Sequence, residues 1–202
     1  SDTFPAGERL DLRSRNYFPA AAGDSWTYAL GGDGADAGQT VTRTVTGATA
    51  ATFTISESPG AETETYRRSA DGVVQLDPAG DTAPAAARTL IGELLLYPEP
   101  FYPAGGTRGA VRQGSWGEDV DGDGMVDSFR LELAQQLVGF ETLTVPLGSF
   151  ETVRFRTTVA LTLSPSSLQR QPTTTTATEE SWWAPGIGMV RAERTRTDAA
   201  GA

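Results

Sequence analysis

Ten residues near the middle of the chain, Glu118-Asp119-Val120-Asp121-Gly122-Asp123-Gly124-Met125-Val126-Asp127, carry five carboxylates. Asp119, Asp121 and Asp123 occupy positions 1, 3 and 5 of an Asp-x-Asp-x-Asp-Gly loop. Gly124 stands at position 6, where such a loop turns sharply, the Met125 carbonyl at 7 and Asp127 at 9. Alternate residues then aim oxygens at one centre, which suits a hard cation wanting six to eight oxygen ligands. Calcium in a structural role is the cofactor expected, with an affinity of about 10⁻⁴–10⁻³ M as in extracellular modules. Position 12 is Arg130 rather than the Glu of an EF-hand, so Glu118, Asp127 or Glu132 must complete the shell. The alternative is a solvated hairpin loop in which the carboxylates repel one another.

A second set of candidates combines aromatic rings with arginines. Trp26 and Trp182, with Arg154 and Arg156, form the ligand-binding residues expected from sequence. The arginines share one strand face and can clamp an anion; equally, they can pair with acids on a neighbouring strand. Glu180 and Trp182 share a face as well, an arrangement found in sugar sites, yet no second carboxylate can be placed beside them, and no catalytic residue is assigned. Trp at a strand end also packs cores.

Composition removes many chemistries. His and Cys are both zero. A Ser-His-Asp triad, a Cys nucleophile, histidine zinc sites and iron–sulfur clusters are therefore excluded. The net charge of −10, with all 16 basic residues Arg, opposes nucleic acid and anionic lipid as partners. No apolar run reaches transmembrane length.

The elements that must position these residues are strands. Phe129, Leu131 and Leu133 alternate with polar neighbours, as do Val153, Phe155, Val159, Leu161 and Leu163. Period two marks a sheet with one dry and one wet face. Between the two runs, Val145-Pro146-Leu147-Gly148 reverses the chain, so a long hairpin is expected at the centre of the fold. Further hairpins follow from Val41–Thr46 with Ala51–Glu57, and from a turn at Asp71-Gly72. Gly31–Gly38 reads as a loop. Ala85–Tyr97 reads as a short helical turn and then a strand, and Gly105–Gly117 as loop with a short strand around Val111. Thr173–Thr178 leads as a strand into Trp182, and Met189–Thr195 is the last strand.

Four pieces line up in order: Tyr17-Phe18-Pro19…Gly23-Asp24-Ser25-Trp26-Thr27-Tyr28, Val145-Pro146-Leu147-Gly148-Ser149-Phe150, Trp182-Trp183-Ala184-Pro185-Gly186-Ile187-Gly188-Met189-Val190, and Arg191-Ala192-Glu193. Together they resemble a group of bacterial secreted proteins and lipoproteins, many similar to the LolA/LolB lipoprotein carriers. Leu147 stands where that group usually has Ala, and residues 118–127 look like an insertion. The resemblance implies a mainly β fold, a single curved antiparallel sheet forming a half-barrel of about ten strands with at most one or two short helices. It also implies export, either periplasmic or anchored at the outer membrane or cell surface. The expected layout is an arm over residues 1–16, one β-domain over 17–197 with the calcium-type loop at 118–130, and a tail at 198–202. The expected function is non-enzymatic: a hydrophobic or lipidic ligand, or a protein partner, held on the concave face. A calcium-stabilised surface module without a small ligand is the first alternative, and a carboxylate-based glycan hydrolase the second.

Overall fold

A computed structural model describes residues 1–167 and 169–199. Its twelve strands are all antiparallel and lie in two six-stranded sheets, not in one sheet of about ten. Consecutive strands mostly pair, as short connections favour, but the first strand does not pair with the second, nor the seventh with the eighth. The run from Glu99 to Gly106, with Pro100 and Pro103, leaves one sheet and enters the other. Proline supplies no ladder donor, so the chain cannot continue the first sheet there. By contacts the chain divides into two compact units.

The smaller unit, Pro19–Pro78 with Glu93–Pro98, is a meander. Strands β2 (Ser25–Ala29), β3 (Thr40–Ala48), β4 (Thr52–Ser58), β5 (Thr63–Ser69), β6 (Gly72–Leu76) and β7 (Leu94–Pro98) pair in sequence order. Val45, Phe53, Ile55, Tyr66 and Val73 fill its dry face. The wet face is paved with hydroxyls that bond across strands, such as Thr27 to Thr42 at 2.9 Å and Ser56 to Thr63 at 3.3 Å. The turn after β5 centres on Ala70-Asp71, and Gly72, at φ 131°, opens β6.

The larger unit contains Ser1–Phe18, Ala79–Gly92 and the chain from Glu99 onward. Strands β8 (Thr107–Ser115), β9 (Ser128–Val145), β10 (Gly148–Ser164), β11 (Thr173–Ala184) and β12 (Gly188–Ala199) follow one another across the sheet, and β1 (Asp2–Thr3) borders β8. The expected central hairpin is present: β9 and β10 pair from Gly148 opposite Val145 to Ser164 opposite Ser128. Phe129, Leu131, Leu133, Leu137, Val153 and Phe155 are buried on its inner face. Phe101 meets Phe155 edge-on at 5.6 Å and Tyr17 at 5.5 Å, closing the core at one end. Helix α1 (Ala85–Ile91) packs along β8 and buries Ala87 and Ile91.

Three expectations change. Within the region 105–117, Thr107–Ser115 form one nine-residue strand, because Arg108 and Ala110 alternate inward and Gly109 gives Thr3 room: a Cβ there would lie 2.6 Å from the Thr3 hydroxyl. The expected arm at 1–16 is stitched in by β1 and by a bridge between Leu10 and Phe101. Residues 198 and 199 belong to β12 rather than to a tail, and the remainder of the expected tail lies outside the described residues.

Phe155 is 3% exposed and Leu147 75%. Phe155→Ala is expected to cost about 3–5 kcal/mol, and Leu147→Ala within about 0.5 kcal/mol. Urea unfolding followed by tryptophan fluorescence measures both.

Candidate metal loop and the arginine–tryptophan cluster

The acidic loop closes the β8–β9 hairpin, whose last pair is Ser115 with Ser128. Trp116 donates its N–H to the Asp127 carbonyl at 2.8 Å, and Asp127 donates to Glu118 at 3.0 Å. The Trp116 ring meets Phe129 edge-on at 5.7 Å, so the base of the loop rests on the core. Above it the chain curls around Asp119. Its Oδ1 accepts N–H bonds from Gly122 at 2.6 Å and Asp123 at 3.2 Å, and its Oδ2 accepts one from Gly124 at 2.7 Å. Gly122 and Gly124 have φ of 79° and 87°, which residues with a Cβ rarely adopt. The Gly124 N–H, more than any other group, lowers the Asp119 pKa.

Asp127, 2% exposed, is the buried anchor. Its Oδ2 accepts from the Val120 N–H at 2.7 Å, and its Oδ1 from the Ser166 N–H at 2.9 Å. One carboxyl oxygen from each of Asp119, Asp121 and Asp127 can gather within 4.8 Å of the others. Loss of hydration raises the Asp121 pKa, assisted by the charges of Asp123 and Asp127. One Asp121 oxygen is shielded from solvent and takes no hydrogen bond.

The structure therefore brings together three of the expected ligands. Asp123 turns elsewhere: Oδ1 accepts the Met125 N–H at 2.8 Å and Oδ2 the Ser166 hydroxyl at 2.6 Å. The Met125 side chain is exposed. Glu132, expected as a replacement ligand, instead accepts from Arg130 at 2.8 Å. Ser166, on the β10–β11 connection, had no signal in the sequence, because the β10 register alone carries it to the acidic loop.

The second candidate set separates. Trp26 lies in the smaller unit, opposite Arg43 on β3. Arg43 pairs with Glu64, whose carboxylate also accepts the Tyr66 hydroxyl at 2.5 Å. Burial pushes the neighbouring Tyr28 phenol up to about 12.

Arg154, Trp182 and Arg191 form one rung across β10, β11 and β12 in the larger unit, with Arg156, Glu180 and Glu193 on the next. The guanidiniums of Arg154 and Arg191 lie 5.0 and 5.3 Å from the Trp182 ring centre. Trp182 is 5% exposed, a covered ring rather than an open platform. Cation–π attraction holds this sandwich, and the indole N–H donates to Glu141.

Arg154 and Arg156 both bind Glu180, the latter at 2.6 Å, and Arg154 also reaches Glu141 at 3.5 Å. The arginines expected to clamp a ligand are thus engaged by the protein's own acids. Glu141 and Glu180 do flank a tryptophan, as a glycosidase pair would, but the Arg154 hydrogen bond lowers the Glu180 pKa. A general acid needs the opposite shift.

Comparison with protein-family models, with curated proteins and with solved structures returns no match.

Glu180 has a folded pKa below its ordinary value of 4.5. Its stabilisation is complete above that value and is lost as pH falls through the depressed folded pKa. Glu180→Gln is expected to lower stability by about 1 kcal/mol at pH 7. The gap from wild type should narrow below pH of about 4, as chemical denaturation at several pH values will measure.

Proposed function

We propose that this chain is an exported, non-enzymatic β-module whose Glu118–Asp127 loop binds calcium as a structural staple. The observation that carries the reading is the convergence of Asp119, Asp121 and Asp127 in an Asp-x-Asp-x-Asp-Gly loop curled around Asp119. Their hard, anionic oxygens match calcium's preference, and the loop connects two strands rather than the helices of an EF-hand. A bound divalent ion would offset the repulsion among these carboxylates. The ion's place beside Asp127 makes its role structural, since Asp127 ties the loop to Ser166 and so to the β10–β11 connection. Export rests on the motif resemblance to bacterial secreted proteins and lipoproteins.

One further observation favours a structural module over a hydrolase. The carboxylates nearest a tryptophan, Glu141 and Glu180, are held by arginine.

Calcium at about 10 mM is expected to stabilise the chain by about 1–3 kcal/mol, raising Tm by about 3–10 °C, with magnesium doing less. Asp121→Asn should abolish this rise while leaving the calcium-free Tm unchanged or higher, because it removes one repelling charge. Calorimetric titration and thermal unfolding test both. No heat and no Tm rise at millimolar calcium would overturn the staple.

A further inference from the structure

The edges of the larger sheet differ in how they are finished. On the β8 side, Ser1–Thr3 cover part of the edge, with the Ser1 carbonyl accepting the Val111 N–H at 2.9 Å. On the opposite side, β12 carries Arg194 and Arg196, 75% and 70% exposed and paired with Glu179 and Asp198. Pairing β12 centrally with its own copy would set these arginines against themselves or each other, a like-charge contact that opposes association.

The third edge is bare. β8 pairs with β9 only as far as Thr107 opposite Gln136, and the Gly105 N–H caps the Leu137 carbonyl. From Val138 to Val145, among the described residues, β9 has a strand partner on its β10 side alone. An extra residue at Val138, opposite the Arg154–Phe155 step, bends the strand as this run begins. Phe140, Thr142 and Thr144 are exposed there, and Phe140 is half uncovered.

The sequence of the run, Gly139-Phe140-Glu141-Thr142-Leu143-Thr144-Val145, is rich in strand-forming residues. Its single charge, Glu141, already serves the Trp182 N–H and Arg154. Such an edge is a template for another strand.

We infer that a second copy of this chain docks on it, the two Gly139–Val145 edges pairing antiparallel about a two-fold axis. With Leu143 opposite Leu143, Thr142 faces Thr144 of the other copy twice, and Glu141 faces Val145. No like charges meet. Shifting the register to put Thr142 opposite itself sets Phe140 against Thr144, also a favourable cross-strand pair. β10's own bare stretch, Gly148–Thr152, is shorter and carries Glu151. Because each copy uses its edge once, the assembly closes as a dimer, and the arginines of β12 discourage further growth. The interface falls below about 1,200 Å², so association is weak and concentration-dependent.

The test is analytical ultracentrifugation of the full chain from about 10 µM to 1 mM, with hydrogen exchange on the same samples. The mass is expected to rise from 21.3 kDa towards twice that value, and amide protection across 139–145 to rise with it. Thr142→Lys, at an exposed position, should stay monomeric with an unchanged Tm, and an equal mixture of Thr142→Lys and Thr142→Glu should regain the doubled mass. A wild-type monomer throughout, a dimer indifferent to Thr142→Lys, or edge amides whose protection ignores concentration would each overturn the pairing. So would a monomer that floats with phosphatidylcholine vesicles, which would assign the edge to lipid.

Discussion

The larger unit hangs on one antiparallel pairing, β9 against β10. It is the longest ladder among the described residues, and the other strands of that sheet extend outward from its two sides, β8 then β1 and β11 then β12. Because strand side chains alternate strictly, this register decides which residues are dry, which are wet and which can meet across strands. Phe155 meets Phe101 inside, while Arg154, one residue earlier, meets Trp182 and Glu180 outside. A slip of one residue would bury the arginines and expose the core.

Two added residues show how local irregularity aims that register. On β9 the extra residue is Val138; on β12 it is Val190, opposite the Trp182–Trp183 step. Each lets the inward set change parity without breaking the ladder. On β9 the buried residues run Phe129, Leu131, Leu133 and Leu137, and beyond Val138 it is Phe140 that falls opposite the buried Val153. On β11 and β12 the irregularity lets Trp182 lie between Arg154 and Arg191, while Trp183 packs on Phe18 with ring centres 4.7 Å apart. Adjacent tryptophans thereby serve opposite faces.

What the sequence made legible follows from these same rules. Period-two patterns located β9, β10 and the Thr-rich β11, and turn residues located the reversals at Pro146-Leu147 and beside Gly72, because these signals are local. The division into two sheets was not legible. Alternation says which way a side chain points, not which strand lies beside it, and β7 and β8 are consecutive without pairing. The same limit hid Ser166 from the acidic loop and Arg191 from Trp182. In both cases the partner arrives through the register of another strand. The acidic loop itself was legible because its oxygens lie within nine residues, although Asp123 proved to serve Ser166.

The hairpin also separates two kinds of surface. Its strands run about 55 Å from end to end at about 3.3 Å per residue. At the Ser128–Ser164 end, charge is concentrated: Asp127 is buried under the acidic loop and bonded to the β10–β11 connection, so one carboxylate anchors both the loop and that connection. At the Pro146 end the strands outrun their neighbours and carry Thr, Leu, Val and Phe with few charges. An electrostatic device belongs at the first end, where many backbone N–H groups already converge on carboxylates. An unpaired backbone edge belongs at the second, where few charges oppose another strand. Cross-strand pairing within one rigid ladder keeps these two properties from interfering, since the residues of each end meet only the neighbours their register assigns.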